Sequence, residues 1–183
     1  YGWYRESVPV IAEAVHAQEK LMWQPEDQEL RAHVGRAAYS SERYEEALFQ
    51  FRWLVAQSPT DARWLEGMAA AEKRLGMHTQ ELAAYRQVLS SNPDHMVALG
   101  GSAVALARLG RLAEAWEALE RLRGLYPAHA LPLVYEGLVF AIEGKEAYAL
   151  AALEEGLAGY ASLSKSLQVE LRRDIALDPA FAR

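Results

Sequence analysis

Apolar residues recur along this chain at steps of three and four, in blocks about a dozen residues long, the spacing of helices that bury one face. Leu65, Met68 and Ala69 form one such set, Leu99, Ala103 and Leu106 the next, and Leu133, Gly137 and Phe140 a third. The blocks predict helices over about 28–40, 43–57, 62–75, 79–90, 96–109, 112–125, 130–143 and 146–158. Their punctuation is periodic. Pro59, Pro93 and Pro127 stand 34 residues apart where pairs of helices end, and Gly76, Gly110 and Gly144 stand 34 apart at the turns within pairs. Glycine suits the left-handed residue that closes a helix. Repeats of this length stack on one another instead of collapsing around one core. The expected fold is therefore all-α, a stack of four antiparallel helix pairs at 28–61, 62–95, 96–129 and 130–161.

The departures from the period are as informative. Glu42 stands where the later pairs have glycine, so the first turn breaks the pattern. Glu81 occupies the slot that is Ala47 and Ala115 in the neighbouring pairs, and a carboxylate there is expected to loosen or rotate the second pair. Ala161 replaces the closing proline, as befits a degenerate terminal repeat. Residues 1–25 predict a flanking helix, with Ser7 as cap and Pro9 in its first turn. At the other end, 162–183 carries Leu163, Leu167, Leu171 and Ile175 at four-residue steps, with Lys165, Arg172 and Arg173 between them. That stripe predicts an amphipathic helix, either a solvating cap on the last repeat or a surface for a homodimer or a partner.

Composition narrows the function. The 183 residues carry a formal charge of −6, which argues against a basic face for nucleic acid. Cysteine is absent, so disulfides and thiolate chemistry are excluded. The apolar run Leu131–Ile142 is interrupted by Glu136 and is too short to span a bilayer. Residues 1–25 lack the basic start and apolar core of a signal peptide. The chain begins at Tyr1, so either a leader was removed or this is a piece of a longer protein. The expectation is a soluble protein, with cytoplasm and periplasm both open.

Candidate chemistry is sparse. His16, His33, His78, His95 and His129 include no pair at metal-ligand spacing, and the equivalent places of His95 and His129 point to repeat duplication. No glycine-rich phosphate loop occurs. Gly100-Gly101 lies inside a predicted helix, where close packing or partner access would call for it. Glu45-Glu46 and Glu154-Glu155 read as solvated helix faces. No cofactor, metal or catalysis is expected.

With Tyr44-Glu-Glu-Ala47, Leu75-Gly76, Leu109-Gly110, Ala115, Tyr85 and the three prolines, the chain resembles the tetratricopeptide-repeat (TPR) family. The resemblance implies a right-handed superhelical stack whose first helices line a concave groove that binds another protein. Alignment places Arg36 and Tyr39 on that groove, then Arg63, Lys73 and Arg74. Further along come Val97, Val104 and Arg108, and finally Leu131, Val134, Leu138 and Ile142. The groove would be basic in its N-terminal half and apolar in its C-terminal half, the latter either open to a partner or covered by the C-terminal helix or residues 1–25. It would suit an extended or helical partner segment with acidic and apolar side chains. Family members that clamp a terminal carboxylate use lysine, asparagine and arginine. The corresponding Ala32, Arg36, Gly67, Val97 and Gly101 offer only Arg36. Asp61-Ala-Arg-Trp-Leu-Glu-Gly-Met68 with Leu75-Gly76 is also similar to type III secretion chaperones for translocators, which implies a cytoplasmic protein holding an unfolded client. The competing implication is a scaffold or adaptor in a bacterial assembly or secretion system.

Overall fold

The computed structural model describes residues 16, 17, 19–22, 24, 26–158, 168 and 175. Between 26 and 158 it consists of eight helices: α1 (Gln28–Ser40), α2 (Tyr44–Gln57), α3 (Ala62–Arg74), α4 (His78–Ser91), α5 (Met96–Arg108), α6 (Leu112–Leu125), α7 (Ala130–Ile142) and α8 (Glu146–Ala158). No strand occurs among the described residues. The predicted cap on Leu163, Leu167 and Leu171, most of the predicted N-terminal helix and the end of the last repeat at Ala161 lie outside them.

The period is written into the helix ends. Asp27, Asp61, His95 and His129, each 34 residues from the next, are the N-caps of the first helix of each pair. Asp27 accepts the Leu30 amide at 2.9 Å, Asp61 the Arg63 amide at 3.0 Å, and His129 Nδ1 the Leu131 amide at 3.1 Å. Each bond satisfies an amide the helix itself leaves unpaired. Those first helices then close with one geometry. Gly76, Gly110 and Gly144 have φ of 70°, 75° and 77°. The following amide returns to a carbonyl five residues back at 2.9 Å: Met77 to Glu72, Arg111 to Leu106, Lys145 to Phe140. Glu42 takes the same turn with φ 61°, and Arg43 returns to Ala38 at 2.9 Å. The first turn therefore departs from the pattern in residue type but not in shape.

Two compact units divide at Ser91 and Asn92. In unit 1, α1 packs on α2, α2 on α3, and α3 on α4. Its core holds Leu48, Phe51, Leu54, Trp64 and Leu65. Phe51 of α2 lies against the glycines of both first helices: a Cβ on Gly67 would stand 2.6 Å from its ring and one on Gly35 3.3 Å. In unit 2, α5 packs on α6 and α7, and α7 on α8. Leu119, Leu122, Leu131, Leu138 and Val139 are fully buried there. Gly137 admits the Leu153 side chain, which a Cβ would meet at 2.6 Å. Large side chains seated on glycines bring helix axes close, and dispersion over that contact holds each pair together.

Glu81 does not disrupt α4. It is fully buried, it bonds His78 Nδ1 at 3.0 Å, and α3 and α4 keep the 13- and 14-residue lengths of the pairs on either side.

Candidate partner-binding site

Helical periodicity places Glu29, Ala32, Arg36 and Tyr39 on one stripe of α1, and Arg63, Glu66, Ala70 and Lys73, with Arg74 beside them, on one stripe of α3. Side chains join the two stripes at both ends. Arg74 Nε donates to Tyr39 Oη at 3.1 Å, and Arg63 Nη1 stands 3.6 Å from Glu29 Oε1. Arg36 lies between those ends on α1 and is exposed. In unit 1, Arg74 thus meets Tyr39 and Arg63 meets Glu29 across the two stripes, with Arg36 and Lys73 placed on the same stripes by periodicity.

The charge of this face is more balanced than the cations alone suggest. Arg63 forms a two-pronged pair with Asp61, Nη2 to Oδ2 at 2.7 Å and Nε to Oδ1 at 3.1 Å, and its guanidinium lies 4.5 Å over the Trp64 ring. The hydrogen bond from Arg63 holds the Asp61 carboxyl below its usual range, against a smaller opposing effect of burial. Glu66 also sits on the stripe, half-buried. Four cations therefore share the face with Glu29, Asp61 and Glu66. Of the four, Arg36 and Arg63 are exposed, while Lys73 and Arg74 are half-buried.

In unit 2 the expected apolar half is not open. Leu131, Val134, Leu138 and Val104 are buried. A Cβ on Gly156 of α8 would stand 2.9 Å from the Val134 side chain, so Val134 packs on the partner helix of its own pair. These four are core residues, which corrects their assignment to a partner-facing surface. Only Val97, Arg108 and Ile142 of the expected set keep partial exposure. The Gly100 position is filled from within as well. A Cβ there would fall 2.0 Å from the Tyr135 ring, so this glycine serves the packing of α7 on α5.

Superposition on solved structures identifies the architecture. MamA matches with a TM-score of 0.68 at 15% identity, over 86% of this chain and 92% of that protein. A tetratricopeptide repeat protein from Parabacteroides merdae matches at 0.69 and 14%, over 94% and 68%. A thermophilic TPR protein of Thermus thermophilus matches at 0.62 and 21%, over 84% and 92%. The fold is the tetratricopeptide repeat. At these identities the likeness is one of fold. No protein-family model matches the sequence. No curated protein matches it either.

Two features of the TPR helices escape a reading by spacing alone. His129 caps α7 through its ring, and His95 holds the same position before α5 without a side-chain cap bond, places one residue before a helix that could have been noted. Glu72 is a buried acid on α3, one crossing from Glu81. Among the described residues no group of three or more metal-ligating side chains is assembled, and no helix is long and apolar enough to cross a membrane.

Proposed function

We propose that this TPR chain is a non-catalytic interaction module, a scaffold or adaptor that holds an acidic segment of another protein against the α1–α3 face of unit 1. The observation that supports this reading is the placement of Arg36, Arg63, Lys73, Arg74 and Tyr39 on two helix stripes that Arg74–Tyr39 and Arg63–Glu29 join. Exposed guanidinium groups recognise carboxylates through paired, charge-assisted hydrogen bonds. Arg36 is the leading contact, because Arg63 already holds Asp61 and would have to exchange it. In unit 2, Val97 and Ile142 offer apolar contacts and Arg108 a cation, all three half-buried. The apolar demand on the partner is smaller than the sequence suggests, since Leu131, Val134 and Leu138 are withdrawn into the core.

Selection from a random peptide library on the intact chain tests this. Enriched peptides are expected to carry aspartate or glutamate and to lose affinity as salt rises. Arg36→Glu should weaken them about tenfold or more, roughly 1.4 kcal/mol, without changing the melting temperature. Enrichment of peptides lacking acids, or affinities indifferent to Arg36→Glu, would overturn the reading.

A further inference from the structure

The crossing of α3 and α4 is chemically unlike the other three. At the 34-residue equivalents of Glu72 stand Ala38, Leu106 and Phe140, and at those of Glu81 stand Ala47, Ala115 and Ala149. Every other pair thus has an apolar residue at the first place and alanine at the second. Here both places hold a buried carboxyl, Glu72 at 2% exposure and Glu81 at 0%.

Each acid is half satisfied. Glu72 Oε1 accepts from Arg52 Nη2 of α2 at 3.3 Å, and Glu81 Oε2 lies 3.0 Å from His78 Nδ1 at the start of its own helix. The other oxygens, Glu72 Oε2 and Glu81 Oε1, are buried and have no hydrogen-bond donor. Two ionised carboxylates left this way would incur both desolvation and mutual repulsion. One proton on Glu72 answers both difficulties: it removes a charge and turns the orphaned carboxylate oxygen into a neutral hydroxyl.

We propose that Glu72 carries a proton in folded unit 1, and that loss of this proton opens the α3–α4 pair. The charged groups facing Glu72 are Arg52 from α2 and Glu81 from α4, with His78 behind Glu81. Arg52 is half in solvent and offsets only part of the negative charge. Burial is the largest influence on the Glu72 carboxyl and pushes it above the usual range. Arg52 pulls it down, and the neighbouring Glu81 charge pushes it up again. The sign follows. A carboxyl that ionises at higher pH when folded stabilises the fold fully below its unfolded value and loses that stabilisation as pH rises through the folded one. The pair therefore tightens in acid and loosens towards alkali.

The experiment uses the whole chain with 13C-labelled glutamate carboxyls, titrated by NMR, alongside amide exchange corrected for intrinsic chemistry. Glu72 is expected to keep its proton at a pH where an ordinary glutamate is already ionised. Between the unfolded and folded carboxyl values, the opening equilibrium of α3 and α4 should rise by up to about tenfold per pH unit. Glu72→Gln, which imitates the protonated carboxyl, should flatten that dependence. Glu81→Ala, the residue of the other three pairs, should lessen it and raise the melting temperature at pH 8. His78→Gln should leave the step in place. A Glu72 carboxyl titrating in the ordinary range would overturn the proposal. So would a pH step that survives Glu72→Gln or vanishes with His78→Gln.

Discussion

Glu42 holds φ at 61°, where its equivalents in later pairs are glycines at 70°, 75° and 77°. A side chain in this region costs about 1–2 kcal/mol, because Cβ crowds the carbonyl that follows. Glu42→Gly is expected to stabilise unit 1 by about 0.5–1 kcal/mol, since the greater freedom of unfolded glycine cancels part of the relief. A urea denaturation midpoint that fails to rise would contradict this. The turn itself was legible from the glycine period, and the strain at its first copy only from the backbone. Gly100 shows the reverse. Its place inside a helix was plain in the sequence, but close packing and partner access stayed open until the fold set Tyr135 against it. That contact joins α5 to α7, residues 35 apart in the chain, and no local pattern encodes it.

At the scale of elements, the second helix of a pair latches back to the proline before the pair. Gln87 Nε2 of α4 donates to the Pro59 carbonyl at 2.6 Å, and Arg121 Nη2 of α6 to the Pro93 carbonyl at 2.9 Å. Gln87 and Arg121 are themselves 34 apart, as are the two prolines. Arg121 also holds Asp94 at 2.9 Å, and Tyr126 donates to the Asp94 carbonyl at 2.6 Å. The equivalents elsewhere are Trp53, which lies beneath the Arg31 guanidinium at 4.1 Å, and Glu155, which has no proton to give once ionised. Arg121→Ala removes two exposed contacts and should destabilise unit 2 by about 0.5–1.5 kcal/mol. Thermal melting followed by amide signals of α6 would register the loss, and an unchanged melt would show the latch to be energetically idle. Helix existence and pairing were readable because periodicity and turn chemistry are local. The latch was not, because its acceptor is a backbone carbonyl that any residue supplies.

Over the whole molecule, buried acids govern the response to pH. Glu136 of α7 is buried beside Arg123 of α6, with which it pairs. Burial pushes its carboxyl above the usual range, Arg123 pulls it down, and Glu155 pushes it up. Its stabilisation, like that of Glu72, is complete below the unfolded carboxyl value and is lost as pH rises through the folded one. Asp61, held low by Arg63, works in the opposite direction but near solvent, where screening weakens it. The chain is therefore expected to withstand urea better at pH 5 than at pH 8. Glu136→Gln should remove unit 2's share of that difference, and a midpoint that climbs with pH would refute the assignment. The sequence by itself determined the helices, their pairing, the turns and the repeat length, because each depends on residues within a few turns of one another. It also marked a set of equivalent first-helix positions, which the family resemblance assigns to a partner-facing groove. Only the tertiary structure decided which of those stay accessible. Arg36 and Arg63 are exposed while Leu131, Val134 and Leu138 are core, because burial depends on what packs opposite, and the period assigns the same slot to both.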